Sequence, residues 1–167
     1  MSGNDTPWVA GDLIFPGPVL RAIEGHCRAE FPNEACGFVL GPASEAQRLS
    51  HAQKALNAQD KYHARFPEEF PRTARTAYFI EPKAIMDTFD QARARGDAVK
   101  VIYHSHADHD SYFSEEDRRA ATFGDDLAYA VAFLVVSVRG GEVRDRKLFA
   151  WEPAGKTFAE VPVQVAP

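Results

Sequence analysis

The run VKVIYHSH, residues 99–106, constrains this chain more than any other stretch. Its β-branched and aromatic residues predict a strand, and it lies between two segments with helical signals, PKAIMDTFDQARARG before it and SEEDRRAATFG after it. In the first of these, Pro82 suits an opening turn, Ile85, Phe89 and Ala92 share one face, and Gly96 ends the helix. In the second, Gly124 is the expected stop. A strand bracketed by helices calls for a layered α/β arrangement.

The flanking sequence extends the pattern. Pro18 opens a helix whose face carries Leu20, Ile23, Cys27 and Phe31 and which ends near Pro32. ACGFVLG reads as a short buried strand closed by Gly41-Pro42, so Glu34 falls at the hand-over from helix to strand. From Gln53 to Arg75 the chain is polar and interrupted by Pro67 and Pro71, which predicts a long loop or lid. TAYFIEP is expected as a strand, and LAYAVAFLVVSV with VRDRKLFAW as a hairpin turning at Gly140-Gly141; TFAEVPV adds a last strand. The expectation is one domain over residues 1–167 with its core at about 13–151, an α/β sandwich around a mixed sheet.

Composition removes several classes of function. With 167 residues and 45% hydrophobic content the chain can enclose one sizeable core. A net charge of −5 provides no basic footprint for nucleic acid or an anionic membrane surface, and no apolar run approaches a membrane span. The start, MSGNDTPWVAGD, lacks signal-peptide features, so a cytoplasmic protein is expected. Cys27 and Cys36 are too few and wrongly spaced for a disulfide framework or a cysteine-rich zinc module, and read as buried small apolar residues.

On a strand, His104 and His106 point to the same face, close enough to share an ion. Alone, such a pair is equally well a solvated strand end. Ser114 and Asp117 fit a capping box, with the serine capping the helix and the acid at its third position. If that helix start docks at the end of the histidine strand, Asp117 joins the imidazoles as a His2Asp set, the donor type that catalytic zinc takes while keeping one position open. Glu34 is the candidate general base; by position alone it could be a surface glutamate.

Together, Glu34 in NEACGFVLG and the later HSHADHDSYFSEED resemble the JAMM (MPN+) zinc metalloprotease signature, an upstream glutamate followed by H-x-H-x7-S-x2-D. The resemblance runs roughly from Pro18 to Phe149. It implies an MPN-type, cytidine-deaminase-like α-β-α sandwich. It further implies one zinc ion per chain on His104, His106 and Asp117, Glu34 activating the attacking water, and Ser114 stabilising the developing oxyanion. Bacterial single-domain members act on ubiquitin-like sulfur-carrier proteins, which implies hydrolysis of a peptide or isopeptide bond next to a C-terminal Gly-Gly. Ala107 stands where the family usually has proline, which loosens a turn without removing a ligand. His109 is expected as a solvated loop residue, and His26, His51 and His63 fall outside the motif.

Three rivals have distinct marks. A non-catalytic MPN-type scaffold should have lost ligands, and all five signature positions are filled here. A zinc deaminase needs H-x-E and P-C-x-x-C, which are absent. A zinc peptidase for unrelated peptides would look the same in sequence.

Overall fold

The computed structural model describes residues 6–167; the first five residues of the polar start read above as lacking a signal peptide lie outside the described residues. A 3-10 turn at Pro7–Ala10 leads into β1 (Ile14–Phe15) and α1 (Gly17–Glu30), followed by β2 (Cys36–Pro42), β3 (His51–Ala55) and α2 (Gln59–Arg65). Next come α3 (Pro82–Ala94), β4 (Asp97–Ala107), α4 (Glu115–Ala121), β5 (Thr122–Phe123) and β6 (Asp126–Leu127). The chain closes with β7 (Ala132–Arg139), β8 (Glu142–Glu152), β9 (Thr157–Val161) and β10 (Gln164–Val165).

Six strands form the central sheet in the order β3-β2-β4-β7-β8-β9. Only β4 and β7 run parallel; the other pairs are antiparallel, so the sheet is mixed as the sequence predicts. The β7–β8 connection turns at Gly140 and Gly141, with φ of 58° and 85°, the left-handed pair that a tight hairpin turn of matching twist requires. Two apolar layers cover the sheet. Leu20, Ile23 and Cys27 of α1 pack on Val101, Tyr103, Leu134 and Val136 on one face. Ile85 and Ala92 of α3, with Ala121 of α4, pack on Phe38, Ile102 and Phe133 on the other.

A bulge sets the phase of β4. Val39 pairs with Val101 and Leu40 with Val99, leaving Lys100 as the extra residue. Val99 therefore faces the α3 layer while Val101, two residues on, faces the α1 layer. Lys100 is fully buried; its ammonium donates to the carbonyls of Pro42, Glu45, Ala46 and Arg48 and lies 5.2 Å from the Trp8 ring centre. Those bonds replace the lost hydration, and they tie the β2–β3 connection to the middle of the sheet. Beyond the bulge, alternation carries His104 and His106 to the α3/α4 face.

Some expectations need correction. The 53–75 stretch is not a continuous loop: its beginning completes β3, an edge strand paired with β2, and α2 follows. Neither element has a strong apolar pattern, because β3 is half exposed and α2 buries little but Gln59. TAYFIEP forms no strand and joins no sheet. Asn57 holds it instead, its side-chain oxygen accepting from the amides of Gln59 and Phe79 while its amide donates to the carbonyls of Glu34 and Ala77. The helix opening at Glu115 also stops at Ala121, short of Gly124, where Thr122–Phe123 start a small β5–β6 hairpin. Among the described residues no helix is long and apolar enough to cross a membrane.

Gly37 has no room for a side chain. A Cβ there would lie 2.5 Å from the Gln53 carbonyl oxygen and 2.5 Å from the Tyr103 phenol, neither of which can withdraw from its packed position. Gly37→Ala should therefore destabilise the protein by about 1–3 kcal/mol, read as a lower denaturant midpoint in the presence of chelator. An unchanged midpoint would show that this side of the sheet is more pliable than described.

Candidate metal centre

Strand pairing assembles the site before any side chain does so. β2 runs antiparallel to β4, so the start of β2 lies beside the end of β4, with Cys36 opposite His104. One step further Ala35 and Ser105 are bonded twice: the Ser105 amide donates to the Ala35 carbonyl at 3.0 Å, and the Ala35 amide donates to Ser105 Oγ at 2.8 Å. Ser105 faces away from the histidines, and this use of its side chain leaves them unhindered. Glu34 is held by its amide donating to the Ala74 carbonyl at 2.7 Å and by Asn57 on its own carbonyl, and is only 4% exposed.

The third contributor comes from the crossover that two parallel strands require, here residues 108–131 between β4 and β7. Several bonds anchor its first part. Asp108, at φ 60°, accepts from the Gly140 amide, Ser111 donates to Asp145 at 2.6 Å, Ser137 donates to the His109 carbonyl, and Arg139 pairs with Asp110. α4 then begins with a complete capping box: the Asp117 amide donates to Ser114 Oγ at 3.1 Å, and the Ser114 amide donates to Asp117 Oδ2 at 3.0 Å.

His104, His106 and Asp117 come together as expected, all buried. The two Nε2 atoms are 3.2 Å apart; Asp117 Oδ1 is 3.1 Å from His104 Nε2, and Oδ2 is 3.3 Å from His106 Nε2. The 3.2 Å between the two nitrogens and the 3.1 Å from His104 Nε2 to Oδ1 are close to the edge, roughly 3.3 Å, of a tetrahedron around an ion with bonds of about 2.0 Å. Among the described residues this is the one group of three such side chains close enough to hold a metal ion. His106 Nδ1 lies 2.6 Å from the Asp110 carbonyl, which can only accept, so the proton belongs on Nδ1 and the Nε2 lone pair faces the cluster. His104 Nδ1 has no hydrogen-bond partner among the described residues; its ring stacks on Tyr78 with centroids 4.4 Å apart.

Electrostatics separate the two carboxyl groups. Burial alone would raise Asp117, but the imidazoles of His104 and His106 that face it and the hydrogen bond from the Ser114 amide hold it well below the usual carboxylate range. Glu34 is pushed up to about 9, first by burial and then by the Asp117 charge, with Arg72 acting in the opposite direction. Both thiols, Cys27 and Cys36, are buried and pushed up to about 12, chiefly by desolvation, so they are inert as nucleophiles at neutral pH.

A cleft of about 350 Å³ opens on this cluster, lined by Glu34, Arg72, Thr76, His106, His109, Tyr112, Ser114 and Asp117. The five motif residues are thus at or beside one cavity, and His109 is an exposed residue on its wall. Of the histidines outside the motif, His26 is buried with Nδ1 2.7 Å from the Tyr103 hydroxyl, His51 lies at the exposed sheet edge, and His63 meets the Phe70 carbonyl at 2.7 Å. Sequence reading missed Ser105, Asn57, Tyr78, Arg72 and Tyr112. Only Ser105 carried a local signal, as the residue between the two histidines.

Residues 16–151 match the family model of prokaryotic homologues of the JAB domain. Among curated proteins, the chain is 23% identical over 153 residues to the CysO-cysteine peptidases of Mycobacterium tuberculosis and Mycobacterium bovis, covering 92% of this chain and 90% of theirs. Its fold is similar to that of a Desulfitobacterium hafniense protein, with a TM-score of 0.68 at 18% identity, and of a Salinibacter ruber protein, with 0.60 at 26%. Both comparisons cover 92% of each chain. It is also similar to a JAB1/MPN domain protein from Archaeoglobus fulgidus, with a TM-score of 0.50 at 14% identity, covering 93% of this chain and 97% of that one. With most of its length matched, the chain belongs to the prokaryotic JAB-domain family, within the JAB/MPN fold.

Proposed function

We propose that this protein is a zinc-dependent peptidase that hydrolyses a peptide or isopeptide bond next to the C-terminal Gly-Gly of a ubiquitin-like sulfur-carrier protein. The observation that carries the reading is the convergence of His104, His106 and Asp117, at separations suited to a tetrahedral ion, beside the buried Glu34 carboxyl. Its likeness to CysO-cysteine peptidases supports the choice of substrate class. The proposed compartment is the cytoplasm, which accords with the two buried free cysteines.

His104, His106 and Asp117 would hold one zinc ion, which when bound supplies Lewis acidity toward the attacking water and the scissile carbonyl. Glu34 takes a proton from that water and passes it to the leaving amine. Burial and the Asp117 charge would keep Glu34 protonated near neutral pH, and the positive charge of a cation held beside it would lower it and free the carboxylate to act as the base. Ser114 Oγ accepts from the Asp117 amide, which leaves its own hydroxyl proton free to point into the cleft and meet charge developing on the carbonyl oxygen. Hydrolysis breaks the C–N bond after the glycine; the glycine leaves as a carboxylate and the released amine carries the proton. A Gly-Gly tail has no side chains to obstruct a narrow cleft.

Metal analysis of protein purified without chelator should give one zinc per chain, and Asp117→Ala should lose it. Equal zinc in both proteins would remove the ligand assignment.

Ser114→Ala should lower both stability and turnover. Losing the cap costs about 1 kcal/mol, and losing one oxyanion donor costs about 10² to 10³ in kcat. A lower melting temperature with unchanged kcat would leave the cap as the residue's only role.

Glu34→Gln should keep zinc and lose hydrolysis by about 10² to 10⁴, followed by intact mass on a ubiquitin-like protein extended beyond its Gly-Gly. A fully active variant would overturn the general-base role. Wild-type protein inactive on that substrate would redirect the search to other peptides or to a binding role.

A further inference from the structure

His104 and His106 are oriented by different means. The His104 ring stacks on Tyr78, whereas the His106 ring depends on the Asp110 carbonyl, which faces its Nδ1 at 2.6 Å. Asp110 lies beyond the end of β4, where strand pairing no longer fixes the backbone. The Asp108 amide still donates to the Val138 carbonyl at 2.7 Å, and Asp108 then turns at φ 60°, a conformation that a non-glycine residue adopts at a cost. Without further restraint the Asp110 carbonyl would move with its loop, and the imidazole would follow it.

Side chains of β7 and β8 supply that restraint, one to each of three consecutive loop residues. Ser137 pairs with His106 in the parallel register, on the same face of the sheet, and its hydroxyl donates to the His109 carbonyl. Arg139 pairs with the Asp110 carboxylate, and the Ser111 hydroxyl donates to Asp145 Oδ2 at 2.6 Å. The three ties are unequal. Arg139 and Asp110 are 44% and 81% exposed, and an ion pair so solvated contributes little. Ser137 and Ser111 are buried, so water does not replace a lost partner, and the bond from Ser111 to a carboxylate is charge-assisted. We infer that Ser137 and Asp145 are positioning residues for His106: they clamp the backbone on either side of Asp110, so that its carbonyl holds the imidazole with Nε2 directed at the cluster. This rests on the metal-centre reading above and extends it from the three ligands to the β7–β8 hairpin behind them. Groups that orient a ligand in this way are commonly worth about 10- to 100-fold in metal affinity.

The test is the zinc affinity of the full chain, measured by competition with a chromogenic chelator well below the melting transition. Ser137→Ala and Asp145→Ala should each bind zinc about 10- to 100-fold more weakly than wild type. Asp145→Asn, whose amide oxygen still accepts from Ser111, should keep most of the affinity. In the zinc-loaded protein the His106 Nδ1 proton, followed by NMR, should exchange with water faster in both alanine variants, while the His104 ring signals stay in place. A general loss of stability would disturb both rings alike. Zinc bound as tightly by both alanine variants as by wild type overturns the inference and leaves the ligand assignment standing. Equal weakening in Asp145→Ala and Asp145→Asn traces the effect to the charge of Asp145 and overturns the inference too, as do equal changes at His104 and His106. Asp145 is exposed, so its two variants settle the outcome where Ser137→Ala fails to fold. A wild-type chain that binds no zinc overturns the metal-centre reading, and this inference with it.

Discussion

The pair of hydrogen bonds between Ala35 and Ser105 is the contact on which the site depends. It fixes the antiparallel register of β2 against β4, and so decides which residue of the α1–β2 connection comes level with the histidines. A slip of one residue would turn each side chain of β2 to the opposite face. Glu34 would then exchange positions with Ala35 and leave the cluster. Two features guard against this. The bulge at Lys100 locks the far half of the same strand pair, and Lys100 itself is bound by four carbonyls. Gly37 admits Tyr103 against the strand, where the phenol meets His26 of α1.

The capping box at α4 gives Asp117 two simultaneous duties. Oδ2 accepts from the Ser114 amide while the carboxylate as a whole faces both imidazoles. A cap is a local interaction that forms with its own helix turn, so the carboxylate's orientation is set before the ion is considered. The arrangement concentrates two imidazoles and two carboxyl groups with almost no solvent. Burying such groups costs free energy unless they are paired. A bound cation would offset that cost for Asp117 and Glu34 together, so metal binding and folding should be coupled.

Periodicity and turn signals made the central architecture legible. The buried strands β2, β4 and β7, the helices α1 and α3, and the Gly140-Gly141 hairpin all carry continuous apolar runs, one-sided apolar faces or left-handed glycines. The motif positions were legible because a strand pair and a cap have fixed spacings. The segment from residue 53 to residue 81 was not, and the reason is physical. Its order comes from polar side chains bonding backbone over distance: Asn57 to four groups, Asp60 to the Ala74 amide, Gln59 to the Arg72 carbonyl, His63 to the Phe70 carbonyl. Such bonds leave no period in the sequence. The same stretch packs a half-buried aromatic cluster of Tyr62, Phe70 and Phe79 whose members are eight and nine residues apart, which matches neither a helix nor a strand.

That irregular segment is also what gives the cleft its second wall. β2 and β4 supply Glu34 and the histidines, and α4 supplies Ser114 and Asp117, all on elements with regular backbone bonding or adjacent to them. Arg72 and Thr76 come instead from a connection held by side chains. The division suits the proposed chemistry. Groups that share an ion must be fixed to a few tenths of an ångström, which regular elements provide. Groups that recognise a tail can tolerate movement, and loops vary without disturbing the sheet beneath them. Within such a design the chemistry can stay constant while the substrate changes, because the residues that would read the substrate lie on the wall whose packing the core does not dictate.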